Sequence, residues 1–318
     1  DCRIVSLTVT EKGYCRAPDG SLDFEAAQRS FYPLLADALS RRFKIGLPGV
    51  TLLSCDNLTS NGKTLRRLMR EWLLGDKGLA RWFDRECTTP DTMVDRIVPA
   101  TTAADRAALE DRIGVADQGA VFTEPFSQWV IEDDFAGPRP RWEEHGAQVV
   151  CDVAPYETAK LRMLNGAHSL LAYCGLEAGY TYVHEAIGDP RLRELAATLM
   201  LDEAAPTIPK AEGLDHALYA AALLARFDNS ALNHRLAQIA IDGSQKLPQR
   251  WLATRAERRV RNLDSPSIDE GMRCWLLHLA DNKDVDDPLA TALVNAVSGV
   301  STEEAWFRVF SDRGLMPL

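Results

Sequence analysis

The pattern of this chain changes once along its length, and that change dictates what it can fold into. Up to about residue 150, short β-branched apolar runs alternate with amphipathic helical stretches. From Pro155 onward strand signals stop and helical periodicity runs to the end, with a composition shift after Pro138-Arg139-Pro140. Ile4-Val5-Ser6-Leu7-Thr8-Val9-Thr10 is apolar on both faces, as a buried parallel strand is. Residues 24 to 44 then carry a helical pattern (Phe31, Leu34, Leu35, Leu39) that stops at Gly46. Thr51 to Cys55 reads as a second strand, followed by a helix holding Leu65, Leu68, Trp72 and Leu73. Met93 to Val98 reads as a third strand. Strand, helix, strand, helix in this order predicts a parallel α/β sheet. A length of 318 residues favours two cores. The expected division is a mixed α/β part over residues 1–150 and an all-helical part over 151–318.

Charge and cysteine usage narrow the function. The chain has 36 basic and 46 acidic residues, a net charge of -10, and no basic cluster. That argues against nucleic acid or an anionic membrane as its partner. There is no apolar run of membrane length and no signal peptide at the start, so the expected setting is cytoplasmic. Seven scattered cysteines without a Cys-x-x-Cys pair read as reduced thiols, not as a disulfide framework or a zinc site. His184-Glu185 has Gly188 where a zinc-protease helix needs its second histidine.

Lys160-Leu161-Arg162-Met163-Leu164-Asn165-Gly166-Ala167-His168 sets an amine, an amide and an imidazole on one apolar helix. On a helix turning about 100° per residue, Asn165 lies about 140° from Lys160 and His168 about 80°. All three can line one side of a pocket. A lysine in apolar surroundings has its charged form destabilised, so its pKa falls toward neutrality and it can act as a base. Gly166 costs about 1 kcal/mol in a helix interior, which close approach of a cofactor, a neighbouring backbone or helix packing would explain. No Gly-x-Gly-x-x-Gly occurs anywhere in the chain. Asn61-Gly62-Lys63-Thr64 fails as a phosphate loop because Asn57 stands where its first glycine is required.

Several separated segments, in order, resemble one family over nearly the whole chain. They are Ser6 to Tyr14, Ser54-Cys55-Asp56-Asn57-Leu58, Met93 to Ile97, Glu124-Pro125-Phe126 with Gln128-Trp129-Val130, Pro155-Tyr156-Glu157, Lys160 to His168, and Asp242-Gly243-Ser244-Gln245-Lys246. Together they resemble the mannitol dehydrogenase/fructuronate reductase family of long-chain polyol dehydrogenases. The resemblance implies a partial Rossmann-like parallel-sheet domain followed by an all-helical C-terminal substrate domain. It implies metal-free hydride transfer between NAD or NADP and C2 of an open-chain polyol or sugar acid, by a monomeric protein. The family places a glycine-rich dinucleotide-binding turn ahead of the strand that opens this chain, so the sequence is expected to be N-terminally incomplete. The alternative it leaves open is a non-catalytic remnant, deficient in cofactor binding, that keeps a sugar pocket.

Carried over residue by residue, the resemblance makes Lys160 the general acid/base. It assigns Asn57 and Asn165 as amides cradling the developing oxyanion, a role neutral N–H donors suit. His168 matches the residue that binds the reacting hydroxyl and orients the lysine, and Glu11 matches a glutamate relaying protons to bulk water. Asp95 and Lys246 match positions holding substrate hydroxyls away from C2, where a carboxylate accepts and an ammonium donates. Thr10 and Asn57 are assigned to the cofactor. Arg250 belongs to the string from Gln238 to Arg250 that looks closer to the bacterial fructuronate reductase-like branch, and its planar fork suits a uronate carboxylate. Two departures stand out: Thr89-Pro90-Asp91, where relatives often show Phe-Pro-Asn, and Gln238, where mannitol-specific members carry an arginine.

Overall fold

A computed structural model describes residues 2–281, 285–311 and 314–316. The chain forms two compact units, Asp1–Arg96 with Ser127–Glu157 and Ile97–Phe126 with Thr158–Leu318. Residues 97–126 thus group with the second unit, and the chain changes unit at 157/158; the sequence reading divides it at 150/151.

In the first unit, β1 (Ile4–Leu7) and β2 (Thr51–Ser54) pair in parallel, Ile4 against Thr51 through Leu7 against Ser54. Every residue of β2 is buried, as expected of a strand covered on both faces. Helices Tyr32–Lys44, Asn61–Leu73 and Lys77–Glu86 supply the cover. Their apolar positions (Leu35 and Leu39; Leu65, Leu68 and Met69; Leu79 and Phe83) recur three and four residues apart and close one core. The Asp76 side chain caps the third of these helices, and Gly46, at φ +71°, follows the end of the first. The stretch expected to be helical from 24 to 44 is broken into Phe24–Ala27 and Tyr32–Lys44. Leu34, counted on its apolar face, is 76% exposed.

The third strand is where sequence and structure differ most in this unit. The edge of β2 is met by Thr88, whose carbonyl accepts from the Leu52 N–H. Pro90 follows and has no N–H with which to extend a ladder. β3 (Thr92–Asp95) instead pairs antiparallel with β4 (Gln128–Glu132), which pairs in parallel with β5 (Gln148–Val150). The described sheets are therefore one parallel pair and one mixed three-stranded sheet, a Rossmann-type arrangement with small sheets.

The second unit is helical among its described residues, as the periodicity predicts. Its centre is the helix Gly166–Glu177, of which all but the last two residues are buried. A helix apolar on every side belongs inside a core. Pro266–Asp281 packs along it. Here the expectation of reduced, unpaired thiols is corrected: Cys174 and Cys274, both buried, are disulfide-bonded between these two helices with Cα atoms 5.2 Å apart. They lie 100 residues apart in sequence, so only the helix packing brings them together. No helix among the described residues is long and apolar enough to cross a membrane.

Close packing in the first unit gives a direct stability test. A Cβ on Gly49 would lie 1.8 Å from the carbonyl oxygen of Glu86, whereas one on Gly75 meets nothing within 4 Å. Gly49→Ala should destabilise by about 3 kcal/mol or more, and Gly75→Ala should stay within about 0.5 kcal/mol. Urea unfolding of the two variants checks this, and equal midpoints would refute the close approach.

Candidate functional site

Lys160 does not lie on a regular α-helix. The helix Ala154–Ala159 passes into a π-turn over Lys160–Asn165 before α-helical bonding resumes at Gly166. Because a π-turn bonds residue i to i+5, Asn165 stands about one turn above Lys160 instead of about 140° around the axis. The regular-helix geometry expected from the sequence is thus corrected, in the direction that brings the amine and amide onto one face. Both residues are half-buried.

Packing explains why this turn exists. Two more π-turns, Leu199–Ala204 and Pro248–Leu252, pack against it, the latter opened by a proline that cannot donate an N–H. They converge on Gly166. A Cβ there would meet Leu199 Cδ2 at 3.3 Å and the Arg250 carbonyl at 3.4 Å. The Trp251 indole N–H donates to the Gly166 carbonyl at 3.0 Å, and both groups are buried. Of the three explanations open for Gly166, the structure supplies helix packing and a neighbouring backbone.

Arg250 leaves the same junction. Its Nη1 donates to Ser169 Oγ at 2.8 Å and, more weakly, to the Asn165 carbonyl at 3.4 Å. No carboxylate among the described residues pairs with it, and burial lowers its pKa to about 10, still charged at neutral pH. Lys246 lies one turn earlier, on the helix Gly243–Leu247, with its ammonium donating to the Ile241 carbonyl at 2.8 Å. Burial and the nearby Arg250 charge both lower its pKa. The Asp242-to-Lys246 segment is held rigidly. Asp287 accepts from the Ser244 N–H and hydroxyl, and a Cβ on Gly243 would strike the Trp275 indole nitrogen at 2.5 Å.

His168 is only 7% exposed. Its ring packs against Phe227 at a 35° tilt, 4.7 Å between centroids, and meets His234 edge-on at 5.2 Å. Its pKa lies well below 6.5, first because of burial and then because His234, Arg250 and Arg226 add positive potential. Arg226 is itself matched: it pairs with buried Glu124 at 2.7 Å and lies over the face of Phe126 at 4.1 Å. Glu124 also accepts from the Ile97 N–H at 2.7 Å. The Glu124-Pro125-Phe126 motif is thus the partner of an arginine 102 residues later. Sequence reasoning missed Arg226 and His234. No local pattern marks Arg226, and the only trace of His234 is its place just before the Gln238-to-Arg250 string.

The other expected residues lie in the first unit. Thr10 and Glu11 follow β1 in a turn where Thr10 takes a left-handed φ of 63°. One buried carboxylate fixes it: Asp56 accepts from the Val9 N–H at 2.9 Å, the Thr10 N–H at 2.7 Å and the Tyr14 hydroxyl at 3.0 Å. Asp56 and Tyr14 stand inside the family-like motifs, and sequence reasoning missed both. Asn57 is the exposed residue after Asp56. The cap position of the following helix is Ser60, so Asn57 is not its N-cap. The Ser60 N–H is instead bonded by Glu157 of Pro155-Tyr156-Glu157. Glu11 is an exposed residue paired with Arg16 at 3.0 Å. Asp95 ends β3 and is buried. Asn61, fully buried, ties the loop after β2 to Thr92, and a Cβ on Gly62 would strike Pro90 O at 2.3 Å, so this segment is a packing junction.

Two family models match successive parts of the chain. The mannitol dehydrogenase Rossmann domain matches residues 2–144 and the mannitol dehydrogenase C-terminal domain matches residues 152–308. The chain is 42% identical to the uncharacterized oxidoreductase YdfI of Escherichia coli (strain K12), over 95% of this chain and 66% of that protein. It is 46% identical to D-mannonate oxidoreductase of the same organism, over 78% of this chain and 54% of that one. Among solved structures, Pseudomonas fluorescens mannitol 2-dehydrogenase in ternary complex with NAD and D-mannitol superposes with a TM-score of 0.77 and 33% identity. That match covers 93% of this chain and 64% of that chain. The chain therefore spans between about half and two thirds of the length of these relatives.

The buried imidazoles make the second unit acid-sensitive. Burial lowers the pKa of His168, His216, His234 and His278 below 6.5. An unfolded chain binds protons near pH 6.5 that the folded unit refuses. Stability is therefore complete above that pH and declines as pH falls below it. Urea midpoints measured from pH 8 to pH 5 should drop below about 6.5, and His168→Phe should flatten the drop. A midpoint independent of pH would contradict the assignment.

Proposed function

The chain belongs to the mannitol dehydrogenase family, and from that premise we propose that it interconverts a polyol or aldonate with its 2-keto sugar. The hydride moves to or from NAD or NADP, and Lys160 is the general acid/base. The observation that carries this reading is the π-turn Lys160–Asn165, which stacks an amine and a carboxamide on one face beside His168. In oxidation the neutral Lys160 Nζ takes the proton of the C2 hydroxyl as hydride leaves. In reduction the ammonium returns a proton to the forming alkoxide. The Asn165 amide donates to that oxygen while negative charge develops on it. Asn57 is assigned the same donor role, His168 the orientation of the reacting hydroxyl, and Glu11 the exchange of the lysine's proton with water. Asp95 and Lys246 are assigned to hydroxyls further along the chain. The proposal gives the proton to a lysine and no step to a metal ion.

Residues suited to part of the cofactor are present. Thr10 and Asn57 follow the carboxyl ends of the parallel strands β1 and β2, where open α/β sheets bind their ligands. They bring a hydroxyl and a carboxamide, which fit the uncharged nicotinamide end. The glycine-rich turn that would cradle a pyrophosphate is not in this sequence. When bound, the nicotinamide ring supplies the hydride acceptor or donor.

Arg250 favours the acid over the polyol as substrate. A guanidinium has five N–H donors, and this one, half-buried, uses its Nη1 on two neutral oxygens and pairs with no carboxylate among the described residues. A substrate carboxylate would complete it in bidentate fashion. Lys160→Ala should lower kcat about 100- to 10,000-fold with the fold intact by circular dichroism. Arg250→Gln should lower kcat/KM for an aldonate about 10- to 100-fold while leaving a hexitol nearly unaffected. A coupled NAD(P)H assay across hexitols and aldonates reads both. Full activity in Lys160→Ala would remove the lysine from the chemistry.

A further inference from the structure

Asp23, Asp76, Asp189 and Asp215 each accept from N–H groups two and three residues further on, which is the ordinary work of a helix cap. Asp56 does something different. Only 3% exposed, it reaches back to the N–H groups of Val9 at 2.9 Å and Thr10 at 2.7 Å, 47 and 46 residues earlier. Its second oxygen accepts from the Tyr14 hydroxyl at 3.0 Å, and that hydroxyl also meets Ser54 Oγ at 2.6 Å. The buried carboxylate therefore ties the turn after β1 to the end of β2.

The residue so held is a strained one. Five non-glycine residues among those described take a left-handed φ, and Thr10, at 63°, is the β-branched one. Branching at Cβ makes that conformation costly, and it persists where the surroundings over-determine it, often at ligand sites. Thr10 is exposed and follows the carboxyl end of a parallel strand, where open α/β sheets take their ligands. Asn57, on the loop after β2, is fixed by other means. The Asp56 carbonyl accepts from the Leu58 N–H at 2.9 Å and from Asn61 Nδ2 at 3.0 Å. The Asp56 side chain thus governs the Thr10 backbone, while the Asn57 backbone has bonds of its own.

We propose that Asp56 is a positioning residue for the nicotinamide end of the cofactor, acting through the backbone of Thr10. This rests on the reading of the chain as an NAD(P)-dependent dehydrogenase. With the Val9 and Thr10 N–H groups both engaged by a buried anion, Thr10 offers its hydroxyl from a backbone that is already set. A loop fixed in advance spends none of the binding free energy on its own ordering. The task suits a carboxylate, which accepts at both oxygens; a carboxamide in its place would turn an NH2 toward one of the donors.

NADH binding, followed by its fluorescence on the whole chain, needs no turnover. Asp56→Asn should weaken it about 10-fold and Thr10→Gly by a similar factor, with the double variant no weaker than the weaker single. Glycine takes a left-handed φ without strain, so Thr10→Gly should keep the wild-type Tm while Asp56→Asn lowers it. A role confined to stability would lower Tm and leave NADH affinity alone. Equal affinity in Asp56→Asn, or losses that multiply in the double variant, overturn the proposal and leave the cofactor reading standing. If the unaltered chain does not bind NADH, that reading fails and the proposal with it. Amide hydrogen exchange on the unaltered chain serves where Asp56→Asn does not fold. The Val9 and Thr10 N–H groups should be protected about 100-fold or more before any NADH is added. Rapid exchange of both in the free chain overturns the proposal.

Discussion

The contact on which the rest of the second unit depends is the indole of Trp251 against the carbonyl of Gly166. A helix interior normally uses its carbonyls on its own N–H groups. Here one carbonyl is reached from a different helix, at the place where π bonding gives way to α bonding. Gly166 must lack a side chain for that approach, and Arg250, next to Trp251, is thereby brought to the Asn165 backbone and the Ser169 hydroxyl. One tryptophan thus sets both the register of the Lys160–Asn165 turn and the position of the guanidinium beside it. Mid-helix π-turns are rare and cluster at functional sites because they re-aim side chains that regular bonding would scatter.

Asp56 plays the corresponding part in the first unit. The backbone after β1 turns through a left-handed Thr10, a conformation that disfavours most side chains. Two N–H groups and the Tyr14 hydroxyl converge on the same buried carboxylate, while Ser54 at the end of β2 joins through Tyr14 at 2.6 Å. The loops that follow both parallel strands are therefore held by one side chain. Thr10 and Asn57 lie on those loops, so their placement is a property of Asp56 as much as of the strands.

Much of the fold is legible in the sequence because it rests on local periodicity. The buried β1 and β2, the helix of Leu65 and Leu68, and the helical second half all follow from apolar spacing. What escapes the sequence is non-local. Nothing near Met93 says that it pairs antiparallel with Val130, far along the chain, since Pro90 only ends a ladder and does not name the next partner. Cys174 and Cys274 meet only because two helices pack side by side. The π-turn is also invisible: Lys160 to His168 has ordinary helical composition, and the extra residue in its turn is imposed by Trp251 and Leu199 from elsewhere in the chain. Lys160, Asn165 and His168 can be picked out because they interrupt one apolar helix. Arg226, His234 and Asp56 cannot, because each matters through a partner distant in sequence.

The distribution of satisfied and unsatisfied polar groups separates structure from function. The second unit is able to match buried charge where only stability is at stake. Arg226 has Glu124 and the face of Phe126. Buried Glu203 accepts from the Ser267 and Ile268 N–H groups, and Arg258 is bonded to the carbonyls of Asp202 and Asp264 and to Ser265. Against that standard Arg250, which pairs with no carboxylate among the described residues, is an exception. A chain carrying 46 acidic residues has counter-charges to spare, so leaving a guanidinium unmatched there is not forced by composition. That exception raises the energy of the empty protein and lowers that of a complex with a ligand able to fill it. A carboxylate on the ligand would complete that guanidinium in bidentate fashion, with its unused N–H donors.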